Sequence, residues 1–556
     1  MATTIYDTTT EARKTAMLAA PVILGELAQM ALHLMDTAMV GALGYKELAA
    51  ASLVLSVMNI PFVAGIGITI AVSQMVSMWH GRRDSPKVSH YLFNGFFLCA
   101  FSAIVIALLL EWGMGILHHL GQDEFVVGLA VPFMRLMGWS VIPMILFMAL
   151  KQFADGLEYT RTAMALSLAA LPVNALLNWL LIFGNFNCPA LGLAGAGWAT
   201  LTTRCLMFII MLAVIMSHKT FRRYVYLGSR HWRLKWHTLK ELLRIGVPSS
   251  LQISMEAGAF AVSGIIIGTI SPMAQAAHQI ALSCAAFTFM VSMGLAQAGS
   301  IRTSNAFGRG DWRHIKVIGK SAYLLALGYG VFCALFFGLF RYRLPELFNS
   351  NPEVVSMSGG LLLFAAVFQI SDATQAVGSA LLRGVKDVKV PTLFVAIAYW
   401  GICLPLGYFL AKKMDMGAGG MWLGFIVGLT CASVLFVVRF SKNNNPASRE
   451  ITFGKKVLDF VQTTPTPVDE VKASSKLGDK EIVEVKFIYD KLLLISKDDW
   501  ERIIDVASQT KVFDKLELAN VKTVQTALAK KEKTKEQALI RAYESLGKLK
   551  KFGIKI

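Results

Sequence analysis

Apolar stretches long enough to cross a bilayer as helices, about 20 residues each, follow one another from residue 16 to residue 440 with only short polar breaks. They predict twelve spans, at residues 16–41, 48–79, 92–117, 125–150, 162–183, 192–217, 241–268, 275–307, 317–340, 354–382, 390–411 and 416–438. Residues 162–217 carry Arg204 as their only charge, yet they are too long for one crossing and break at the loop from Gly184 to Gly192, which contains Pro189.

Lys and Arg collect in every second break. They are Arg82, Arg83 and Lys87; Lys151 and Arg161; seven between Lys219 and Lys240; Arg309, Arg313 and Lys316; and Arg383, Lys386 and Lys389. The positive-inside bias assigns these breaks to the cytoplasm and leaves both termini there. Arg341, Arg343, Lys412 and Lys413 are exceptions on the opposite side. Met1 to Arg13 is polar and lacks the apolar core of a cleaved signal, so insertion is expected to rely on the first span.

The two halves repeat each other. At a constant offset of 227, Pro21 falls on Pro248, Gly41 on Gly268, Ala49 on Ala276, Gly67 on Gly294, and Gly81-Arg-Arg-Asp84 on Gly308-Arg-Gly-Asp311. Further along the offset drifts, with Gly156 matching Gly384 and Trp198 matching Trp422. Six helices per repeat is an even number, so both halves enter from the same side. Parallel repeats related by an axis along the membrane normal mark transporters, with sites near the repeat interface. The predicted fold is therefore an all-α polytopic membrane protein. Its parts are a cytoplasmic N-terminus (1–15), an amino-lobe bundle (16–217), a cytoplasmic inter-lobe loop (218–240), a carboxy-lobe bundle (241–440) and a soluble, charged C-terminal unit (441–556).

Composition agrees with a lipid setting: 55% of residues are hydrophobic and 16% charged, where soluble proteins carry about a quarter charged. Residues 441–556 hold 23 of the 54 Lys and Arg and 17 of the 36 Asp and Glu, so the deficit lies in the first 440. The net charge of +18 is read as orientation in the membrane, with lipids as neighbours and no nucleic-acid partner. Seven scattered cysteines have no metal-ligand spacing, and no Gly-x-x-x-x-Gly-Lys-Ser/Thr occurs to hydrolyse ATP. An ion gradient is the expected energy source, and enzymatic chemistry is not expected.

Four acids fall inside the spans: Glu26, Asp36, Glu256 and Asp372. An ionised carboxylate in hydrocarbon costs at least about 2.5 kcal/mol, so each must face a cavity or a partner. Glu26, Gln29, His33 and Asp36 are spaced 3, 4 and 3 apart, which gathers them on one helix face. Ser249, Gln252, Glu256 and Ser263 form the equivalent stripe in the second half, and Phe368, Asp372 and Gln375 share a face of the tenth span. Both stripes are expected to line one central cavity, where a carboxyl can exchange a proton for a cation. Asn174 and Asn178 present two amides on one helix face, able either to hold a hard cation with Asp36 or to join helices. Arg135 and Arg204, also inside spans, are expected to neutralise acids or to snorkel.

These residues resemble the MATE (multidrug and toxic compound extrusion) transporters, specifically the NorM-like branch. The matching stretches are Pro21 with Met35-Asp-Thr-Ala-Met-Val-Gly41, Pro248 with Met255-Glu-Ala257, Phe368-Gln-Ile-Ser-Asp372 running into Leu382-Arg-Gly-Val-Lys-Asp387, and Pro172-Val-Asn-Ala-Leu-Leu-Asn-Trp179. The resemblance implies a V-shaped pair of six-helix bundles in the bacterial inner membrane, monomeric, exporting cationic drugs or dyes in exchange for Na⁺ or H⁺. It implies Asp36 as the amino-lobe cation or proton site with Asn174, Asn178 and Thr200 beside it, and Glu256 and Asp372 as the carboxy-lobe site. Phe368 is a departure, because related chains often carry tyrosine there. The alternative of the same architecture is a lipid-linked oligosaccharide flippase, which would need cavity arginines where these stripes are acidic.

Beyond Arg439 the resemblance ends. Asn443-Asn-Asn-Pro446 reads as a breaker, and helical or mixed segments are expected near Lys480–Ser496, Asp498–Ser508 and Lys531–Lys550, in a native appendage or an engineered fusion partner.

Overall fold

A computed structural model describes residues 7–119, 123–186, 188–228, 233–443, 500, 504 and 515–530. Within them are twelve helices long and apolar enough to cross a membrane: α1 (Thr8–Gly41), α2 (Tyr45–Gly81), α3 (Ser85–His119), α4 (Glu124–Gly156), α5 (Thr160–Phe183), α6 (Gly192–Ser217), α7 (Trp236–Gly268), α8 (Pro272–Arg309), α9 (Trp312–Leu339), α10 (Pro352–Gly384), α11 (Lys389–Lys413) and α12 (Gly417–Lys442). The expected count and order hold. Short helices at Lys219–Gly228 and Arg343–Glu346 lie between spans.

Several helices outrun their apolar cores. The first begins at Thr8, where Asp7 caps it by accepting from the Thr10 amide, and not at residue 16. Helix α4 continues through Lys151 to Gly156, and α10 through Arg383 to Gly384. Lys151, read from sequence as loop, is helical and pairs with Glu26 inside the fold, and Arg383, also helical, lines a cavity in the carboxy lobe. Helix α11 contains π-helical segments at Ala396–Cys403 and Phe409–Lys413 flanking a short α-helical piece with Pro405 in its first turn. Such wide turns are rare and fall frequently at functional sites.

Each bundle has its own core. Met75, Ile145, Phe147 and Phe153 are buried in the first, and Tyr399, Trp422, Phe425 and Phe436 in the second. In the amino lobe α1 packs on α5, and α4 on α2 and α6; in the carboxy lobe α10 packs on α8 and α9, and α7 on α11. The lobes interlock through α2 against α7 and α8, and α1 against α8 and α9.

The repeat explains how closely they interlock. A Cβ on Gly67 would lie 2.4 Å from Ser250 Cα, and one on Gly294 would lie 2.3 Å from Ile23 Cγ1. A Cβ on Gly81 would lie 2.2 Å from Asn305 O, and one on Gly308 2.0 Å from Met78 O. Ser250 and Asn305 are the repeat equivalents of Ile23 and Met78 at the 227 offset. Each glycine therefore meets, in the other lobe, the repeat equivalent of the residue that its own counterpart meets, as a two-fold relation requires. No side chain fits at these backbone crossings.

Polar contacts reinforce the same seam. Ser77 Oγ donates to Ile301 O at 2.7 Å, Arg82 Nε to Gly308 O at 3.1 Å, and Gln297 Nε2 to Gln152 Oε1 at 2.6 Å. Glu11 of α1 is buried in a cluster from the other lobe: Arg302 donates to its carboxylate and backbone carbonyl and to Thr15 Oγ1, and His314 Nε2 lies 2.9 Å from Glu11 Oε2.

The chain divides after Ser441. In the second unit, α13 (Lys515–Lys530) buries Val521 and Val524. Trp500 and Ile504 are helical and buried; the rest of the expected segments near Lys480–Ser496, Asp498–Ser508 and Lys531–Lys550 lie outside the described residues.

Candidate functional site

The acids are divided between two places. In the amino lobe, Asp36 of α1 is reached from α5 and α6: Asn178 Nδ2 donates to Asp36 Oδ1 at 2.6 Å and Thr200 Oγ1 to Oδ2 at 3.4 Å. Asn174 orients that amide, its Oδ1 accepting from Asn178 Nδ2 at 2.9 Å while its own Nδ2 donates to Thr203 Oγ1 at 3.4 Å. The i, i+4 spacing on α5 aims both amides at α1 because α1 and α5 pack together. Asn178 Oδ1 is buried with no partner among the described residues. Asp36 is half-buried. Gln29 and His33 line a small neighbouring pocket with Asn174, Thr200, Thr203 and Arg204. Arg204 donates to Ser140 Oγ at 2.7 Å and forms no ion pair with Asp36 among the described residues. Arg135 pairs instead with Glu111 at 2.9 Å, in an exposed position.

Glu26 does not join this group. Lys151 of α4, its side chain 5% exposed, binds Glu26 Oε1 at 2.6 Å. One turn on, Asp155 is buried and neither of its carboxylate oxygens has a partner among the described residues. Neither Lys151 nor Asp155 was recognised from sequence as part of the membrane interior, because they adjoin the basic loop before α5.

In the carboxy lobe, Gln252, Glu256, Phe368, Asp372 and Gln375 come together on the wall of a cavity of about 610 Å³. Phe260, Phe289 and Met293 add apolar walls, and Asn59 and Ile70 of α2 contribute from the other lobe. Asp372 forms no hydrogen bond or ion pair with any described residue, and Gln375 Oε1 is likewise unpartnered. Glu256 accepts from Tyr399 Oη at 2.6 Å, while Gln252 Nε2 donates to Ser379 Oγ at 2.8 Å. Arg383 lines the same cavity with its Nε unpartnered. Phe368 is packed edge-on against Phe260 and Trp422, with ring centroids 6.2 and 5.6 Å away. Ser263, expected in this stripe, instead donates back to Phe260 O at 2.7 Å on its own helix and does not line the cavity.

The expectation of one cavity lined by both stripes is thus corrected. The cavity beside Glu256 and Asp372 has no α1 residue in its wall, and the pocket beside Asp36 has none from α7 or α10. Tyr399 and Arg383 were missed in the sequence: Tyr399 looks like one aromatic among many, and its place in the π-helical part of α11 carries no sequence signature.

The MatE family model matches residues 21–180 and 248–409, one block in each half. The chain belongs to the MatE family, a family of membrane transporters, in its NorM-like part. It is 34% identical over 444 residues to "Probable multidrug resistance protein NorM" of Mesorhizobium japonicum, covering 79% of this chain and 95% of that protein. It is 32% identical over 434 residues to "Multidrug resistance protein MdtK" of Yersinia pseudotuberculosis, covering 77% of this chain and 95% of that one. Among solved structures, a eukaryotic MATE transporter, AtDTX14, superposes with a TM-score of 0.71 at 20% identity, over 79% of this chain and 98% of that one. At that identity the likeness speaks for the fold.

Proposed function

We propose that the protein is a secondary antiporter that exports cationic or amphipathic organic compounds in exchange for Na⁺ or H⁺. The observation that carries the reading is the unpartnered Asp372 beside Glu256 in a cavity whose remaining wall mixes aromatic and apolar side chains with amides. Two acids against the single Arg383 favour positively charged cargo, and Phe and Met walls accept flat cations without fixed geometry. The names of the curated relatives, multidrug resistance proteins, agree.

In this reading Glu256, Asp372 and Gln375 offer oxygens to a hard cation, and a proton or Na⁺ arriving there competes with the organic cation for the same negative charge. Asp36, with Asn178 and Thr200, is a second ion or proton site in the other lobe. With the basic loops placed in the cytoplasm by the positive-inside rule, the interlocked ends at Gly81 and Gly308 face inward, and the lobes rock apart there to complete the cycle. The flippase alternative needs a cationic cavity for pyrophosphate lipids. The two are separated in proteoliposomes by following a fluorescent aromatic cation and a headgroup-labelled anionic lipid side by side. Transport of the cation alone supports the antiporter; scrambling of the lipid alone refutes it.

A further inference from the structure

A cavity of about 850 Å³ opens at the interlocked end of the lobes, away from the acids. Lys14, Arg83, Arg161, Arg302 and Arg309 line it, against Glu158 as its one acidic lining residue. Glu11 behind the wall occupies Lys14 and Arg302, and Arg309 Nη2 lies 3.1 Å from His314 Nδ1. Arg83 and Arg161 are exposed and form no ion pair among the described residues. The first turn of α5, Thr160 to Thr162, lines the same cavity, and its N-cap residue Tyr159 supplies no side-chain hydrogen bond. Free peptide N–H groups at a helix start add to the attraction for an anion.

The repeat offers a control. A second crevice of about 1000 Å³ is lined by Met78, Arg82, Lys87 and Tyr91, the counterparts of Asn305, Arg309, His314 and Ile318 in the first. There Glu241 stands where Lys14 stands, bonded by Tyr91 Oη and 3.9 Å from Lys386. Arg233, Lys235 and Lys386 also line the second crevice, so both are basic; what the second lacks is the α1 face of Met17, Leu18 and Pro21 and the start of α5 in its wall.

We propose that this first crevice binds the phosphate headgroup of an anionic phospholipid. Met17, Leu18 and Pro21 of α1 continue its wall on the apolar side, and Met17 is 60% exposed. An acyl chain can lie along α1 while the headgroup reaches the arginines, an arrangement that a free anion would not exploit. Both lobes build the crevice, through α1, α2 and α5 on one side and α8 and α9 on the other. A bound lipid therefore holds the lobes together at this end and weights the transport cycle toward that state.

The test uses the full chain purified in detergent and titrated with phosphatidylglycerol or phosphatidylcholine, with bound lipid counted by native mass spectrometry. Wild type retains phosphatidylglycerol selectively, and the Arg83→Gln/Arg161→Gln variant loses it by roughly tenfold or more. Arg83→Lys/Arg161→Lys keeps most of it, and Arg233→Gln in the second crevice changes it little. Absence of selectivity in wild type overturns the proposal without recourse to any variant. Equal retention by the Gln variant overturns it, as does displacement of the lipid by inorganic phosphate at the same concentration, which would make the site one for free anions.

Discussion

Tyr399 donates its phenolic hydroxyl to Glu256 Oε1 across 2.6 Å, joining α11 to the acid of α7. Phe368 cannot offer a hydroxyl to the carboxy-lobe site, and a different helix supplies one. The π-helical turn of α11 includes Tyr399, and the ring is fully buried beside Phe260 at a centroid distance of 6.2 Å. Tyr399→Phe keeps the packing and removes the bond. A hydrogen bond to a charged group is worth about 1.5–3 kcal/mol, so the ion concentration for half-maximal efflux is expected to shift by roughly tenfold or more, with the melting temperature little changed. An unchanged ion dependence would remove Tyr399 from the site.

In the amino lobe the Asn178 amide is the short contact to Asp36. Asn178→Ala is expected to slow export about tenfold, by the same order of hydrogen-bond energy, and Asn174→Ala less, because it acts on Asp36 only through Asn178. Efflux rates of the two variants at matched expression decide the order; a larger defect in Asn174→Ala would contradict it.

Gly308 lies against the backbone carbonyl of Met78, whereas a Cβ on Gly328 would meet nothing within 4 Å. Gly308→Ala is expected to cost about 1–3 kcal/mol as overpacking and to spread the lobes at that end, which cysteine cross-linking across the seam would report as lost yield. Gly328→Ala, in an open helical position, leaves cross-linking and melting as they are.

Glu11 is shared by Arg302, His314 and Lys14. Removing one partner of a buried ionic cluster costs about 3–5 kcal/mol, so Glu11→Gln is expected to lower the melting temperature markedly. Glu11→Leu combined with Arg302→Met should recover part of the loss, since no charge is then left buried alone. Additive losses in the double variant would show that the cluster is not a unit.

The twelve spans, the repeat and the membrane acids were legible because each leaves a local trace: apolar length, a constant offset, a charge where charge is costly. The offset even picked out Gly67, Gly81, Gly294 and Gly308, though nothing in the chain said that these glycines are where the lobes touch. Helical spacing gave the azimuth of each stripe but not its neighbour, so Glu26 was grouped with Asp36 although Lys151 claims it, and Ser263 with Glu256 although it bonds its own helix. Glu11, Lys151, Asp155 and Arg383 sit near helix ends, where charge is ordinary and burial depends on a distant partner. Such pairings are tertiary facts with no sequence period.

In the proposed cycle Asp36, Glu256 and Asp372 carry the coupling charge. Efflux of a fluorescent cation from proteoliposomes, driven separately by a Na⁺ gradient and by a pH gradient, tests it in wild type and in Asp36→Asn, Glu256→Gln and Asp372→Asn. At least one gradient should drive efflux in wild type, and each neutral variant should lose most of it while remaining folded. Undiminished, gradient-driven export by all three variants would contradict the account.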